Sequence, residues 1–252
     1  MSERAWHEPV LLIGATSGIA RALAERLAQQ GSDLLLAGRD HVELNAVAAD
    51  LRLRFDVRTA TLEFDALAFG EHHGFMKQAT AACENRLTAV VICHGLLVDQ
   101  AEAQRDPALM RRMVDVNYTS YVSLLEAFAV WFVQRRGGML VALSSVAGDR
   151  GRPSNYLYGS TKAALSAYLQ GLRARLAKTG VHVLTVKPGI VDTPMTWGLK
   201  VAGPVASPHR VAGDIVRAMR RRRNVLYTPW FWRPIMAVIR GIPEPIFKRL
   251  SL

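Results

Sequence analysis

Apolar residues recur along this chain in short unbroken runs, separated by longer stretches in which they return every three or four positions. The runs at residues 10–13, 34–37, 59–63, 89–93, 139–143 and 181–186 predict strands, with a further short strand at 224–228. The stretches at 18–30, 42–54, 72–84, 107–135, 154–179 and 208–221 predict amphipathic helices. Strands apolar on both sides belong to a parallel sheet buried between two helical layers. The alternation therefore predicts an α/β fold, a Rossmann-type doubly wound parallel sheet with helices on both faces. No repeat, low-complexity tract or linker interrupts it. Residues 1–228 read as one domain and residues 229–252 as a C-terminal appendage.

Composition narrows this picture. Half of the 252 residues are hydrophobic, enough for a substantial core and too many for a disordered chain. Residues 1–9 are polar and carry both charge signs, so no secretory signal is expected. No apolar run reaches the ~20 residues of a membrane-spanning helix. Cys83 and Cys93 have neither metal-ligand spacing nor a disulfide framework, and Cys93, inside an apolar run, is expected to be a buried thiol. No metal site is expected, and a reducing, cytoplasmic setting follows. The net charge is +11, but +8 of it falls in residues 210–252. A basic tail on a near-neutral domain argues against nucleic acid as the partner.

The first predicted strand runs into Gly14-Ala15-Thr16-Ser17-Gly18-Ile19-Ala20 and then a helix rich in Ala and Leu. Glycines at such a turn let backbone N–H groups approach a pyrophosphate, which the helix N-terminus also favours. Thr16 and Ser17 add hydroxyl donors. After the second strand comes Gly38-Arg39-Asp40. An acidic residue at that strand end would bond both ribose hydroxyls of NAD, whereas Arg39 suits a 2′-phosphate and points to NADPH, with NADH as the alternative. Asp65 and Ala66 follow the third strand, where a carboxylate can accept from an adenine amino group. Gly95 follows the fourth, and His94 beside it reads as a residue supporting the turn rather than a catalytic base.

Tyr158 and Lys162 are four residues apart on a predicted helix and so share one face. A free tyrosine titrates near ~10, and an adjacent ammonium is expected to lower that value and make Tyr158 a general acid or base. Ser145, at a strand end, would bond the substrate oxygen. Asn117, inside the helix predicted at 107–135, would hold a water linked to Lys162 for proton relay. Tyr-x-x-x-Lys alone also fits an ordinary surface pair. The ordered set Asn117, Ser145, Tyr158 and Lys162, each on its predicted element, carries the argument.

That set, with the Gly14–Ala20 turn, Asp65, Gly95 and Pro188-Gly189-Ile190-Val191-Asp192-Thr193, resembles the short-chain dehydrogenase/reductase family across roughly residues 8–228. The resemblance implies a dinucleotide-binding and catalytic domain and hydride transfer between a nicotinamide and a carbonyl or alcohol carbon. It implies that Pro188, Ile190 and Thr193 hold the carboxamide, and that Lys162 also binds the nicotinamide ribose. Two departures stand out: Ala20 replaces the third glycine of the turn, and Cys93-His94-Gly95 replaces an Asn-rich turn. Phe64-Asp65-Ala66-Leu67, His94-Gly95-Leu96-Leu97, Val116-Asn117-Tyr118-Thr119 and the stretch from Ser144 to Arg150 are similar to a narrower branch. So are Tyr158-Gly159-Ser160-Thr161-Lys162 and the tail from Ile242 to Leu250. This branch is the decaprenylphosphoryl-2-keto-erythro-pentofuranose reductases, which carry the reducing half of a two-enzyme epimerisation. The likeness implies a lipid-linked keto-sugar substrate in arabinan and cell-wall synthesis, and a flavin-dependent oxidase partner.

The tail sets Trp230, Phe231, Trp232, Ile235, Met236, Val238 and Ile239 among Arg233, Arg240, Lys248 and Arg249. Such a mixture suits a segment lying in a membrane interface, peripheral at the inner face of the cell membrane. Prolines at 229, 234, 243 and 245 are expected to divide it into short helical pieces. Packing of the tail on the core, or a contact within a homo-oligomer, is the other reading. Arg150 and Arg152 are expected near a substrate phosphate, or else at the surface. Two further classes stay open: a soluble carbonyl reductase of an acyl, steroid-like or small substrate, and a non-catalytic nucleotide sensor.

Overall fold

The computed structural model describes residues 7–198 and 203–250; residues 1–6 of the polar N-terminal stretch lie outside them. The strands are β1 (Val10–Ile13), β2 (Leu34–Gly38), β3 (Thr59–Glu63), β4 (Ala89–Ile92), β5 (Gly138–Leu143), β6 (Val181–Pro188) and β7 (Val225–Thr228). All pair in parallel, in the order β3-β2-β1-β4-β5-β6-β7. The helices are α1 (Gly18–Ala28), α2 (His41–Phe55), α3 (His72–Ala82), α4 (Gln100–Arg105), α5 (Pro107–Val114), α6 (Ser120–Gln134), α7 (Tyr156–Leu176), α8 (Pro208–Arg220), α9 (Trp232–Gly241) and α10 (Glu244–Phe247).

Period-two alternation along each strand feeds two cores. Val10, Leu12, Leu34, Leu36, Val91 and Leu184 face α1, α2 and α8. Leu11, Ile13, Leu35, Val90, Ile92 and Leu140 face α3, α6 and α7, where Tyr121, Phe128 and Phe132 are fully buried. Cys83 and Cys93 are both buried free thiols, and burial pushes each up to about 12.

The strand order reverses between β1 and β4, and a crevice outside the strand C-termini at such a point is where this fold holds ligands. Gly14 there has φ +78°, and a Cβ on it would lie 2.7 Å from the backbone nitrogen of His94. Glycine thus lets the β1 and β4 loops touch. Two further glycines set the β5 loop against α7. A Cβ on Gly148 would lie 2.6 Å from the carbonyl carbon of Lys162, and one on Gly159 would lie 2.7 Å from the carbonyl oxygen of Ala147. Backbone therefore packs on backbone between the turn that carries Ser145 and the helix that carries Tyr158 and Lys162.

The fold departs from the sequence reading in three places. The single helix expected at 107–135 is two helices joined by a π-helical turn, Asp115–Thr119. A π turn inserts one residue without changing the hydrophobic period enough to be read from sequence. The segment after β4 contains α4, capped by Asp99, whose carboxylate accepts from the N–H groups of Ala101 and Glu102. Pro234 does not divide the tail: it lies in the first turn of α9, where a missing N–H costs no helical bond.

Gly159→Ala is expected to cost roughly 1–3 kcal/mol by overpacking. Gly171→Ala, with nothing within 4 Å on the same helix, should instead gain about 0.5–1 kcal/mol. Urea unfolding of the two variants beside the parent checks both signs.

Candidate active site

Loops from the C-terminal ends of β1, β4, β5 and β6 converge with α7 and the π turn. At the first, Ser17 caps α1, its hydroxyl oxygen accepting from the Ala20 N–H at 3.4 Å, which leaves its own proton free to donate. The first turn of α1 holds no acidic residue, so its positive end is uncompensated by a side chain. Ile19 packs against the core beneath this turn. The Thr16 carbonyl accepts from Arg21 Nε at 3.0 Å. Arg39 is exposed where β2 ends. Asp40, beside it, caps α2 by accepting from the Glu43 N–H, so that carboxylate already serves the helix. Asp65 is exposed and accepts from the Leu67 N–H at 3.0 Å, with Ala66 half-buried beside it.

The β6 loop crosses toward this turn. Pro188 ends the strand, and Thr193 lies against Gly18, where an added Cβ would sit 3.0 Å from Thr193 Cγ2. Ile190 packs with Trp232 and Met236 of α9. Gly95 faces the same space: a Cβ on it would meet Asn117 Oδ1 at 3.3 Å, Met195 Cε at 3.6 Å and Lys162 Nζ at 3.8 Å. A glycine-lined cradle, a free helix N-terminus and an exposed Arg39 fit a phosphorylated dinucleotide laid across the strand ends.

The reaction centre is assembled around Lys162. Its side chain is buried (3 % exposed), its ammonium donates to the Leu143 carbonyl at 2.9 Å, and it faces the rings of Tyr121 and Tyr158 at 5.1 and 5.8 Å. No carboxylate among the described residues pairs with it, and burial pulls it down to about 7. Tyr158 hydrogen-bonds Ser145, which pulls its phenol down, but burial outweighs that and pushes it up to about 12. This corrects the expectation that the ammonium lowers it. In a dry pocket, with Lys162 itself near neutrality, desolvation wins and Tyr158 is held as the protonated acid. Ser145 Oγ also accepts from the Ala147 N–H at 3.1 Å, fixing the hydroxyl at the head of the turn.

Asn117 is fully buried in the π turn. Its Oδ1 accepts from the Leu96 N–H at 2.8 Å and its Nδ2 donates to the Leu96 carbonyl at 2.7 Å. The amide thus clamps the Gly95–Leu96 turn, a task that spacing alone did not indicate. His94 is the supporting residue the sequence suggests. It is hydrogen-bonded to Ser120 Oγ at 2.8 Å, and burial, with Lys162 and His72 nearby, takes it down to about 3.

Other participants had no local signal. Tyr121 donates to the His94 carbonyl at 2.5 Å and presents its ring to Lys162. Ser144 Oγ donates to the Lys162 carbonyl at 2.9 Å and shares a hydrogen bond with Ser166. Asp149 is ion-paired to Lys187 and accepts from the Tyr227 hydroxyl at 2.8 Å, joining the β5 turn to the ends of β6 and β7. Trp232 lies against Gly189, where any Cβ would collide with its indole. Of the two readings open for Arg150, a phosphate contact or a surface role, the fold shows a contact within the chain. Arg150 pairs with Glu244 at 2.5 Å and sits over the Phe247 ring at 4.3 Å, so the tail engages it. Arg152 keeps a buried Nε without a partner, and burial lowers its pKa.

Comparisons place this arrangement among known proteins. The family model for short chain dehydrogenases matches residues 8–202. The chain is 37 % identical over 242 residues to an uncharacterized oxidoreductase of Mycobacterium tuberculosis, covering 96 % of each. It is 34 % identical to sulfoacetaldehyde reductase 2 of Chromohalobacter salexigens over 74 % of each. A short-chain dehydrogenase from Sphingobium yanoikuyae, solved in complex with NADPH, superposes with TM-score 0.81 at 27 % identity, over 94 % of this chain and 97 % of that one.

Lys162→Met removes a buried cation, so the apo variant should be at least as stable as the parent at pH 6. The parent's folded lysine titrates near 7 against an ordinary 10.5. From about pH 7 to 10.5 the unfolded chain therefore holds a proton that the folded one lacks, and the parent gains stability as pH rises. The gap between variant and parent should narrow from pH 6 to pH 9 in urea titrations; a constant gap would contradict a neutralised Lys162.

Proposed function

Because the chain belongs to the short-chain dehydrogenase/reductase family, we propose that it is an NADPH-dependent reductase of a lipid-linked keto sugar. Within that class, the reading is reduction of the 2-keto group of a polyprenylphosphoryl pentofuranose. The family makes the chain an oxidoreductase with a nicotinamide cofactor. The NADPH held by the Sphingobium relative, together with Arg39, favours the phosphorylated form. Gly14, Thr16, Ser17, Gly18 and Ile19 would take the pyrophosphate, Asp65 and Ala66 the adenine, and Gly95, Pro188, Ile190 and Thr193 the nicotinamide side.

When bound, NADPH would supply the hydride for the carbonyl carbon. Tyr158 gives its phenolic proton to the carbonyl oxygen, which Ser145 holds by a hydrogen bond. As the phenolate forms, the pull on Lys162 to become an ammonium grows, and the charge near the Tyr158 ring stabilises it. Asn117 keeps the Gly95–Leu96 turn in place beside this pair and remains the candidate for passing protons to Lys162 through water.

The observation that carries the lipid-linked substrate is the two-sided tail. Its inner side presses Trp232 on Gly189, within the cofactor loop, while Trp230, Ile235 and Val238 are exposed on the outside. A substrate with a sugar at the reaction centre and a prenyl chain in a bilayer needs such an apolar wall at the mouth. No described helix is long and apolar enough to cross a membrane. A peripheral place at the inner face of the cell membrane, with a flavin-dependent oxidase as partner and self-association into a homo-oligomer, completes the reading. Arg152, with its unpartnered Nε, would take the phosphate more readily than Arg150, which is paired with Glu244.

The likeness to sulfoacetaldehyde reductase 2 favours a second reading, a small anionic aldehyde in the same site. NADPH oxidation with a keto-pentofuranosyl lipid phosphate in detergent, set against sulfoacetaldehyde, separates them. Turnover of the lipid alone supports the first; turnover of the aldehyde alone sinks it. Tyr158→Phe should lose about 10²–10⁴-fold in either case. Arg39→Ala should raise KM for NADPH about 10-fold or more, the worth of a charged hydrogen bond, and leave that for NADH unchanged.

A further inference from the structure

A strongly basic face lies away from the reaction centre. Arg210, Arg217 and Arg220 recur at helical spacing on the outer side of α8, with Arg221 at its C-terminal cap, while Val211, Ile215 and Met219 are buried on its inner side. With Arg26 and His209 they line an open groove of about 660 Å³ between α1 and α8. A second depression, about 170 Å³, is lined again by Arg217 and Arg221, now with Arg223 and Trp230. The two arginines make one continuous surface from the groove to an indole that is 69 % exposed.

The charge on this surface is only partly compensated. Asp214 pairs with Arg210 and Arg217, and Glu25 with Arg54 and His209. Among the described residues neither Arg220 nor Arg221 has a carboxylate partner. A small soluble anion would call for enclosed donors, yet Arg210 and Arg217 are more than half exposed and the groove is open. Many exposed guanidinium groups beside an exposed tryptophan match a plane of anionic headgroups, with the indole at the boundary between headgroup and acyl chain.

We propose that the outer face of α8, the groove beside α1 and Trp230 together form a docking surface for an anionic lipid bilayer. This rests on the bilayer element of the proposed function but not on the sugar. The exposed Ile235 and Val238 of α9 would extend the apolar part.

Flotation of the full-length protein tests it, using vesicles of phosphatidylcholine alone and of phosphatidylcholine mixed with phosphatidylglycerol. The protein should float with the mixed vesicles, less so as salt rises, and poorly with the neutral ones. Each basic group at such a surface contributes about fivefold, so Arg220→Gln with Arg221→Gln should weaken partitioning about 30-fold. Their turnover of ketone in detergent should stay at the parent level. Trp230→Ala should weaken binding to both kinds of vesicle. Equal flotation on neutral and anionic vesicles, or a double variant that floats like the parent, overturns the proposal. A parent that reduces the lipid ketone in detergent but never floats removes this surface and leaves the function standing; one that floats without reducing the ketone does the reverse.

Discussion

An ammonium buried without a counter-charge governs this molecule. Among the described residues Lys162 has a carbonyl oxygen and two aromatic rings to replace its water, and the cost shows in a proton affinity lowered to about 7. Such a group persists only where its surroundings are held firmly by something else. Here the lysine backbone is gripped by Ser144 and Ser166, and the β5 turn presses on it through Gly148. The lysine is thus positioned by its main chain, leaving its side chain free to answer charge that develops beside it. In the proposed mechanism, stability given up at this position would let the pocket favour an anionic phenolate as it forms.

The same constraint explains why Tyr158 rests as a protonated acid. A half-neutral lysine does not force the phenolate in the resting site, and burial keeps the phenol proton in place. For reduction of a ketone this is the useful starting state, because the carbonyl oxygen needs a proton delivered. Two of the surrounding hydrogen bonds hold backbone, Asn117 on Leu96 and Tyr121 on His94, while Asp149 links the side chains of Lys187 and Tyr227. The first two tie the β4 loop to the π turn and α6, and the third ties the β5 turn to the ends of β6 and β7.

Much of this was legible in the chain. Strands with apolar residues on both faces have only one common use, and the seven predicted runs correspond to the seven strands with small shifts at their ends. Tyr158, Lys162, Ser145 and Asn117 were readable because helical spacing and strand ends place them on known faces. What stayed hidden needs contacts between distant segments. The π turn alters one hydrogen bond and leaves the apolar period nearly intact. The contact of Arg150 could not be read locally, because its partner, Glu244, lies 94 positions away. The burial of Tyr158, which reverses the direction of its shift, is a property of the assembled pocket rather than of an i, i+4 pair.

The tail shows why membrane docking and core packing are not competing descriptions. On α9, Trp232 and Met236 are buried one turn apart, and Ile235 and Val238 lie on the other side, exposed. A helix with both faces apolar would be unstable as a free surface element, yet here one face is satisfied by Gly189 and Ile190. Because that satisfied face rests on the loop proposed to hold the nicotinamide, a force on the outer face would reach that loop through the packing of Trp232 on Gly189 and Ile190. Glycine at 189 is required for that contact, since a side chain there would lift the indole away. The outer surface and the β6 loop thus meet where Trp232 and Met236 pack on Gly189 and Ile190. A bilayer engaging the exposed face would press on the site rather than merely sit near it.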